Sequence, residues 1–158
     1  MTPSAVVITV STRAFSGVYT DRSGPILVQG LVDLGFEVGD PVIVVDGEPV
    51  AGALREALSA APDLVLTTGV TGLGPDDRTP ELTRPLLDRE IPQLASAIAR
   101  HGADNGVPTA VLSRGLAGVA GTTLVVNLPG STGGVRDGLA VLAPVLMHAI
   151  SQLRGGDH

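Results

Sequence analysis

Short runs of β-branched and aliphatic residues recur along the chain, and each is followed by a loop that carries glycine or polar residues. They lie at residues 5–10, 41–45 and 63–68 and in a stretch that ends at Asn127. Such runs are typical of buried strands. Helical patterns separate them, and strands that alternate with helices favour an α/β fold. The sequence therefore predicts a three-layer α/β/α sandwich with a mostly parallel sheet, formed by one domain over residues 1–158.

The helices between these strands are predicted from apolar spacing and from the residues that start and stop helices. Ser23 is suited to cap the first helix, and Gly35 ends it. Residues 109–127 contain glycines but little helical period, and they predict a strand, a hairpin and a second strand. Further helices are predicted at residues 48–60, 79–87, 91–100 and 131–153, with a break at residues 88–90 and a bend at Pro144.

The composition excludes several functional classes. The chain has no cysteine, which excludes disulfides, thiolate metal sites and a cysteine nucleophile. Its formal net charge is −6, and its 10 basic residues are all arginine. An acidic chain of which only 2% is aromatic is poorly suited to bind nucleic acid. No apolar run approaches the ~18 residues that cross a bilayer, and no signal peptide is apparent. We therefore expect a cytoplasmic protein without membrane or nucleic-acid partners.

The most informative loop follows the third predicted strand, at residues 67–81. It holds Gly69, Gly72 and Gly74, and the sequence from Thr79 predicts the start of a helix. A strand, a glycine loop and a helix N-terminus together are suited to hold phosphate through backbone N–H groups. The chain has no lysine, so this is not a Walker A loop. A glycine-rich turn before a capped helix is the alternative interpretation.

Side chains at these strand ends add hydroxyl donors and carboxylates. The hydroxyls of Thr68 and Thr71 are suited to donate to phosphate. Asp76 and Asp77 are oxygen ligands of the kind that Mg²⁺ prefers, and they favour a functional interpretation of the loop. Asp46 follows the second predicted strand, where a carboxylate suits Mg²⁺ or proton chemistry. An Asp-Gly pair is also an ordinary turn, which is the alternative for Asp46.

Two further loops follow predicted strand ends. Residues 127–134 join a strand to a helix, and their hydroxyls and N–H groups suit an anion. Asn127 is suited to bind a base edge, an amide or a ribose. An ordinary turn with Ser131 as the N-cap is the alternative. The loop at residues 11–23 brings further hydroxyls and Asp21 towards the same edge of the sheet.

The three histidines do not predict a metal site, because their spacing is not that of metal ligands. We interpret His148 as a helix residue and His158 as part of the tail. No arrangement of serine, histidine and aspartate typical of a nucleophilic triad stands out in the sequence.

Four motifs resemble signatures of the MogA/MoaB family of molybdenum cofactor biosynthesis. Residues 67–72 read TTGVTG and are followed by Asp77 and by TPE at residues 79–81, which resembles the family's TTGGTG…D.TPE signature. The similarity extends from about Val6 to Leu153. The other matching motifs are DRSG at residues 21–24, LSRG at 112–115 with GVAG at 118–121, and NLPGS at 127–131.

The resemblance implies an enzyme that transfers AMP from ATP to the terminal phosphate of molybdopterin. In the MogA branch pyrophosphate leaves, and Mg²⁺ is required. The family's two acidic positions match Asp77 and Asp46, which the resemblance implies as catalytic residues and Mg²⁺ ligands. The loops and the matching motifs together give these candidate positions for binding pterin and nucleotide: Thr12, Asp21, Ser23, Thr68, Gly69, Thr71, Gly72, Pro80, Glu81, Ser113, Asn127, Pro129, Gly130 and Ser131.

The resemblance leaves a second function open, because the MoaB branch suggests a non-catalytic protein that binds or carries molybdopterin. A phosphate-binding α/β domain with an unrelated ligand is a third interpretation. The family implies a homotrimer, or a hexamer made of two trimers, and a hand-over of product to a molybdotransferase. Four positions depart from the family pattern: Val70 replaces a Gly, Asp76 an Arg, Ser96 a Glu and Ala99 an Arg.

Overall fold

A computed structural model describes residues 1–157, so the assignment of His158 to a tail lies outside the described residues. These residues form seven strands and seven α-helices, and the predicted α/β sandwich is confirmed. The strands are β1 Ser4–Val10, β2 Glu37–Val38, β3 Val42–Val44, β4 Leu64–Thr68, β5 Arg89–Glu90, β6 Ala117–Ala120 and β7 Thr123–Leu128. The helices are α1 Thr12–Phe15, α2 Ser23–Asp33, α3 Glu48–Ser59, α4 Thr79–Thr83, α5 Pro92–Asp104, α6 Thr132–Leu142 and α7 Leu146–Leu153, with 3₁₀ turns at Arg84–Leu86 and Pro108–Leu112.

The strands form one seven-stranded sheet in the order β2-β1-β4-β7-β6-β5, with β3 also paired to β1. Strands β1, β3, β4 and β7 run parallel, so their carboxyl ends meet at one edge. Strand β6 pairs antiparallel with β7, and β5 pairs antiparallel with β6. In open α/β sheets, ligands bind beyond the carboxyl ends of the parallel strands. The loops that leave β1, β4 and β7 are therefore positioned to form a site.

Alternate side chains of the central strands point into two separate apolar cores. Leu64 and Leu66 of β4 pack in one core with side chains from α2, α5, α6 and α7. Val65 of the same strand packs in the other core, which contains Val50 and Leu54 of α3. The sheet is thus covered on both faces, which explains why its strands read as continuous apolar runs. This arrangement is the three-layer sandwich predicted from the sequence.

The hairpin predicted before Asn127 is confirmed as β6 and β7, but its first strand begins only at Ala117. Residues 109–112 lie in a 3₁₀ turn instead of a strand. Strand β5, which lies in the predicted break between two helices, occupies the edge of β6. There the Ile91 amide donates to the Ala117 carbonyl at 2.7 Å. No edge of β6 remains for residues 109–112 to pair with.

The predicted capping role of Ser23 is wrong. Ser23 lies inside α2, and Arg22 occupies the cap position without a side-chain cap hydrogen bond. The carboxylate of Asp21 caps the start of α2 instead, because its Oδ1 accepts a hydrogen bond from the Gly24 amide at 3.1 Å. The Ser23 hydroxyl instead donates to the Gly130 carbonyl at 2.8 Å. This bond ties the start of α2 to the loop that follows β7.

The predicted bend at Pro144 is confirmed, since residues 131–153 form two helices whose axes differ by 62°. Proline has no N–H to donate to a helical carbonyl, so a break beside it is expected. Neither α6 nor α7, nor any other single helix of residues 1–157, has the length and apolar character needed to cross a bilayer.

Replacing Leu66 by alanine tests how far the fold depends on its central strand. Leu66 has no solvent exposure. We expect Leu66→Ala to lower the free energy of unfolding by about 2–5 kcal/mol, because it leaves a cavity between the sheet and the helices. Leu73 is 67% exposed and provides the matched control; Leu73→Ala should cost less than about 0.5 kcal/mol. Urea denaturation measures both, and equal losses would contradict the burial described here.

Candidate functional site

The loops that leave β4 and β7 are tied together by hydrogen bonds at the carboxyl edge of the sheet. The Gly69 amide donates to the Leu128 carbonyl at 3.0 Å, and the Thr68 hydroxyl donates to the Pro129 carbonyl at 2.7 Å. The hydrogen bond from the Ser23 hydroxyl to the Gly130 carbonyl joins the loop at residues 11–23, which follows β1, to the loop after β7. Three of the four loops singled out in the sequence therefore form one continuous surface.

Gly69 is required where these loops approach the end of β1. Its φ is +109°, and a Cβ atom added there would collide with the Val10 carbonyl oxygen. Val70 follows with a φ of +59°, a left-handed conformation that is strained for a β-branched residue. The family pattern places a glycine at this position, so Val70 keeps the loop conformation at an energetic cost.

A cavity of about 180 Å³ lies between the first loop and the loop after β4. Asp21 is fixed at its border, since Oδ2 accepts a hydrogen bond from the Thr9 hydroxyl at 2.9 Å. Tyr19, 46% exposed, also borders this cavity and was not predicted as a site residue. Because only 2% of the sequence is aromatic, a tyrosine in a loop at a strand end was the signal that could have identified it. The other lining residues are Val10, Ser11, Ser23, Thr68, Gly69, Val70 and Gly130.

A larger cavity, of about 390 Å³, lies on the other side of Val70 and Gly130, which line both cavities. We call it the main cavity. It brings together seven residues selected from the sequence: Thr71, Gly72, Asp77, Ser113, Pro129, Gly130 and Ser131. Ser131 is confirmed as the N-cap of α6, because its hydroxyl oxygen accepts from the Gly134 amide at 3.0 Å. Gly133 and Gly134, in the first turn of α6, line the main cavity, so the N-terminal end of this helix borders it.

Arg114 braces the glycine loop through its guanidinium group. Its guanidinium donates to the Gly72 carbonyl at 2.8 Å and to the Asp77 carbonyl at 2.6 Å. It also forms a two-point contact with the carboxylate of Glu81, at 2.8 and 3.0 Å. The hydrogen bond from Arg114 outweighs the effect of burial and lowers the pKa of Glu81. The carboxylate of Glu81 therefore holds Arg114, which in turn holds the glycine loop.

Asp46 and Asp77 line different cavities. Asp77 borders the main cavity, and its Oδ2 accepts from the Gly74 amide at 2.8 Å. Asp46 borders a cavity of about 260 Å³ together with Asp76 and Arg78. Its Oδ1 is buried and accepts no hydrogen bond within residues 1–157. The Asp46 amide donates to Thr12, whose hydroxyl thereby connects α1 to this position.

The orphaned Oδ1 of Asp46 fits a cation, because a buried carboxylate oxygen requires a positive or hydrogen-bonding partner. Within the part of the chain that is described, no group of three or more acidic or histidine side chains is placed to hold a metal. Mg²⁺ often takes only one or two carboxylates and completes its shell with substrate phosphates and water. A Mg²⁺ site shared by Asp46 and Asp77 therefore stays a prediction.

Two residues predicted to bind ligand have their polar groups or surfaces engaged within the protein. Asn127 accepts from the Leu116 amide at 3.0 Å and donates to the hydroxyls of Thr67 and Thr83 at 2.9 and 3.1 Å. Pro80 is buried in the first turn of α4 and lines neither cavity. Their roles in binding stay predictions, whereas their structural roles are evident.

The fold and these adjoining cavities define a class of protein, the α/β sandwiches that bind small molecules beyond the carboxyl ends of parallel strands. Residues 6–148 match the family described as "Probable molybdopterin binding domain", and the chain belongs to this family. The resemblance that the motifs indicated is therefore confirmed.

Three relatives show the extent of the similarity. The structure of the molybdopterin biosynthesis Mog protein from Mycobacterium ulcerans has a TM-score of 0.92 and 52% identity, and the match covers 98% of this chain and 99% of that one. The molybdopterin adenylyltransferase of Pyrococcus furiosus is 34% identical over 94% of this chain and 89% of its own length. The molybdenum cofactor biosynthesis bifunctional protein of Chlorobaculum tepidum is 36% identical over 99% of this chain, which spans only 50% of that relative.

Substituting Val70 tests the strain in the glycine loop. In the middle of a helix or strand, a glycine makes the folded protein less stable than an alanine does, by about 0.5–1 kcal/mol. At Val70 we expect the reverse order, because alanine retains the strain of a positive φ and glycine removes it. Thermal unfolding of Val70→Gly and Val70→Ala measures the order directly. A more stable alanine variant would contradict the left-handed conformation at this position.

Substituting Glu81 tests the brace formed with Arg114. Because the pKa of Glu81 is lowered in the folded state, its stabilising effect is present at neutral pH and is lost as the pH falls through that pKa. Glu81→Gln should therefore melt below the wild type at pH 7, and the difference should shrink as the pH falls below the ordinary pKa of a glutamate and through the lowered pKa of Glu81. Glu56→Gln, at an exposed glutamate on α3, is the control and should show no such trend. A difference independent of pH would contradict the ionic brace.

Proposed function

We propose that the chain is a molybdopterin adenylyltransferase. In the proposed reaction, an oxygen of the terminal phosphate of molybdopterin attacks the α-phosphorus of ATP. The bond from that phosphorus to the α,β-bridging oxygen breaks, and pyrophosphate leaves with the electron pair. The observation that carries the proposal is the pair of cavities that share Val70 and Gly130 as a common wall. Two adjoining cavities suit a reaction in which two bound molecules exchange a group across a short distance.

The local donors of the site support phosphate binding despite a net charge of −6. The N-terminal turn of α6 lines the main cavity at Gly133 and Gly134, and the helix dipole favours an anion there. The hydroxyl oxygens of Thr71 and Ser113 lie 3.0 Å apart, and both residues line the main cavity. When one hydroxyl donates to the other, the second can donate its own proton to an anion. Nucleotidyl transfer needs little covalent chemistry from the protein, so positioning of this kind carries much of the catalysis.

Asp46 and Asp77 are the proposed carboxylates of the reaction. When bound, Mg²⁺ would neutralise phosphate charge and stabilise the leaving pyrophosphate. Asp46 would contribute its unpartnered Oδ1, and Asp77 would contribute the oxygen that Gly74 leaves free. Asp77 has a second role in either case, since its bond to Gly74 holds the glycine loop in the shape that borders the main cavity.

Carboxylate variants test the catalytic assignment. We expect Asp46→Asn and Asp77→Asn to lower kcat by about 10²-fold or more, the loss typical of removing one charge-stabilising group. The measurement is chromatographic detection of adenylylated molybdopterin formed with ATP and Mg²⁺. Asp40→Asn, at an exposed carboxylate outside the three cavities, is the matched control and should retain full activity. Full activity of Asp77→Asn would refute the role of Asp77, and the same measurement on Asp76→Asn shows whether Asp76 contributes.

A non-catalytic molybdopterin carrier is the second candidate function. The separation of Asp46 and Asp77 into different cavities favours it, as does Asp76 at a position where the family pattern has an arginine. Titration calorimetry distinguishes the two functions. An adenylyltransferase binds both molybdopterin and ATP, whereas a carrier of this kind binds molybdopterin without measurable affinity for ATP.

We also infer a homotrimer, or a hexamer made of two trimers, in the cytoplasm, where ATP is available. Exposed apolar side chains such as Val111 and Leu112, 61% and 49% exposed, support self-association. A hand-over of product to a molybdotransferase is supported by the bifunctional relative, whose length is about twice that of this chain. Analytical ultracentrifugation that showed a stable monomer would refute both assemblies.

A further inference from the structure

Asp137 of α6 is a carboxylate of the main cavity to which the sequence analysis gave no role. It lines the main cavity and also a narrow slot of about 30 Å³ that adjoins it. The slot is lined mostly by small and apolar residues, among them Ala95, Ala99 and Gly102 of α5. Ala99 stands where the family pattern has an arginine, so no long basic side chain from that position fills the slot or neutralises Asp137.

The carboxylate of Asp137 has unused capacity to accept hydrogen bonds. Its Oδ1 lies 3.5 Å from Nε2 of His101, and its Oδ2 lies 3.3 Å from where a Cβ atom on Gly102 would be. The side chain is 23% exposed. Among residues 1–157 no donor forms a hydrogen bond to it, although an ionised carboxylate has about four acceptor positions. A largely buried carboxylate in this state is suited to receive donors from a ligand.

The chemistry of the two substrates decides which of them matches this carboxylate. The 2-amino-4-oxopyrimidine ring of a pterin presents its N3–H and its 2-amino group side by side. Two parallel donors match the two oxygens of a carboxylate, as the fork of an arginine does. Adenine presents its amino group beside an acceptor nitrogen, whose lone pair would face the second carboxylate oxygen. An acidic group in the main cavity therefore favours the pterin over the nucleobase.

We propose that Asp137 recognises the pterin ring of the substrate by a two-point hydrogen bond and thereby sets the specificity of the main cavity. The inference rests on the proposed function, because it assigns one of the two substrates to this cavity. The purely structural alternative is that Asp137 serves only to join α6 to α5 through His101. His101 does not line either the slot or the main cavity, so the two roles can be separated by substitution.

Steady-state kinetics with molybdopterin, ATP and Mg²⁺ provide the first test. Asp137→Asn keeps the size of the side chain but replaces one acceptor by a donor. It should raise KM for molybdopterin by about 10-fold or more, the effect of losing a hydrogen bond to a charged group, and leave KM for ATP within about twofold. His101→Gln removes the imidazole that contacts Asp137 and keeps the carboxylate, and it should change neither constant. Equal changes in both variants, or an equal rise of KM for ATP, would overturn the inference.

A pair of small probes tests the recognition itself. Pterin has the 2-amino group, and lumazine, the 2,4-dioxo analogue, lacks it. The wild type and His101→Gln should bind pterin at least about 10-fold more tightly than lumazine, and Asp137→Asn should lose this preference. Calorimetry measures it without turnover, so a protein that discriminates but transfers no AMP would refute the proposed function and uphold this inference. A preference retained in Asp137→Asn, or a wild type that binds neither probe, would overturn the inference.

Discussion

The hydrogen bonds between the loops after β4 and β7 hold the junction between the two adjoining cavities at the edge of the sheet. The bonds made by Thr68, Gly69 and Ser23 connect three loops at distances of 2.7–3.0 Å. Each is worth about 1 kcal/mol net, so together they exceed the ~1–2 kcal/mol of strain expected at Val70. The loops can therefore hold one strained residue at the junction. That junction is also the wall shared by the two cavities.

Electrostatics explain why so much of the site is built from backbone. An acidic protein without lysine has few cations to offer to anionic substrates. Arg114 is occupied by the glycine loop and by Glu81. In the proposed function, phosphate binding would fall to the N-terminus of α6, to hydroxyls and to a cation near the carboxylates. The requirement for glycine at position 69 is steric, because a Cβ atom there would collide with the Val10 carbonyl oxygen.

The sequence predicted the sheet and the loops well, because continuous apolar runs followed by glycine signal buried parallel strands directly. The sequence-based prediction was wrong where contacts between distant parts of the chain determine the local structure. Residues 109–112 carry β-branched character but form a 3₁₀ turn, since β5 already occupies the edge of β6. A two-residue strand such as β5 has no local signal. Ser23 is a good helix cap by local preference, yet its hydroxyl is used by a carbonyl 107 residues away.

The site was predictable to the extent that its residues lie in contiguous motifs. Tyr19 and Asp137 were missed because their positions beside a cavity depend on how separate helices and loops pack. The separation of Asp46 from Asp77 could not be read from the chain either, since each simply follows a strand or a glycine loop. The family pattern, in contrast, was readable at once, because four motifs of fixed composition occur in a fixed order.

In the proposed function, the two adjoining cavities bring the terminal phosphate of molybdopterin to the α-phosphorus of ATP. A single-turnover reaction with excess protein and Mg²⁺ tests this arrangement, with ATP labelled at either the α- or the γ-phosphorus. We expect the α-label to appear on the pterin with one equivalent of pyrophosphate, and the γ-label to appear only in pyrophosphate. Molybdopterin that binds without acquiring the α-label, or that acquires the γ-label, would contradict it.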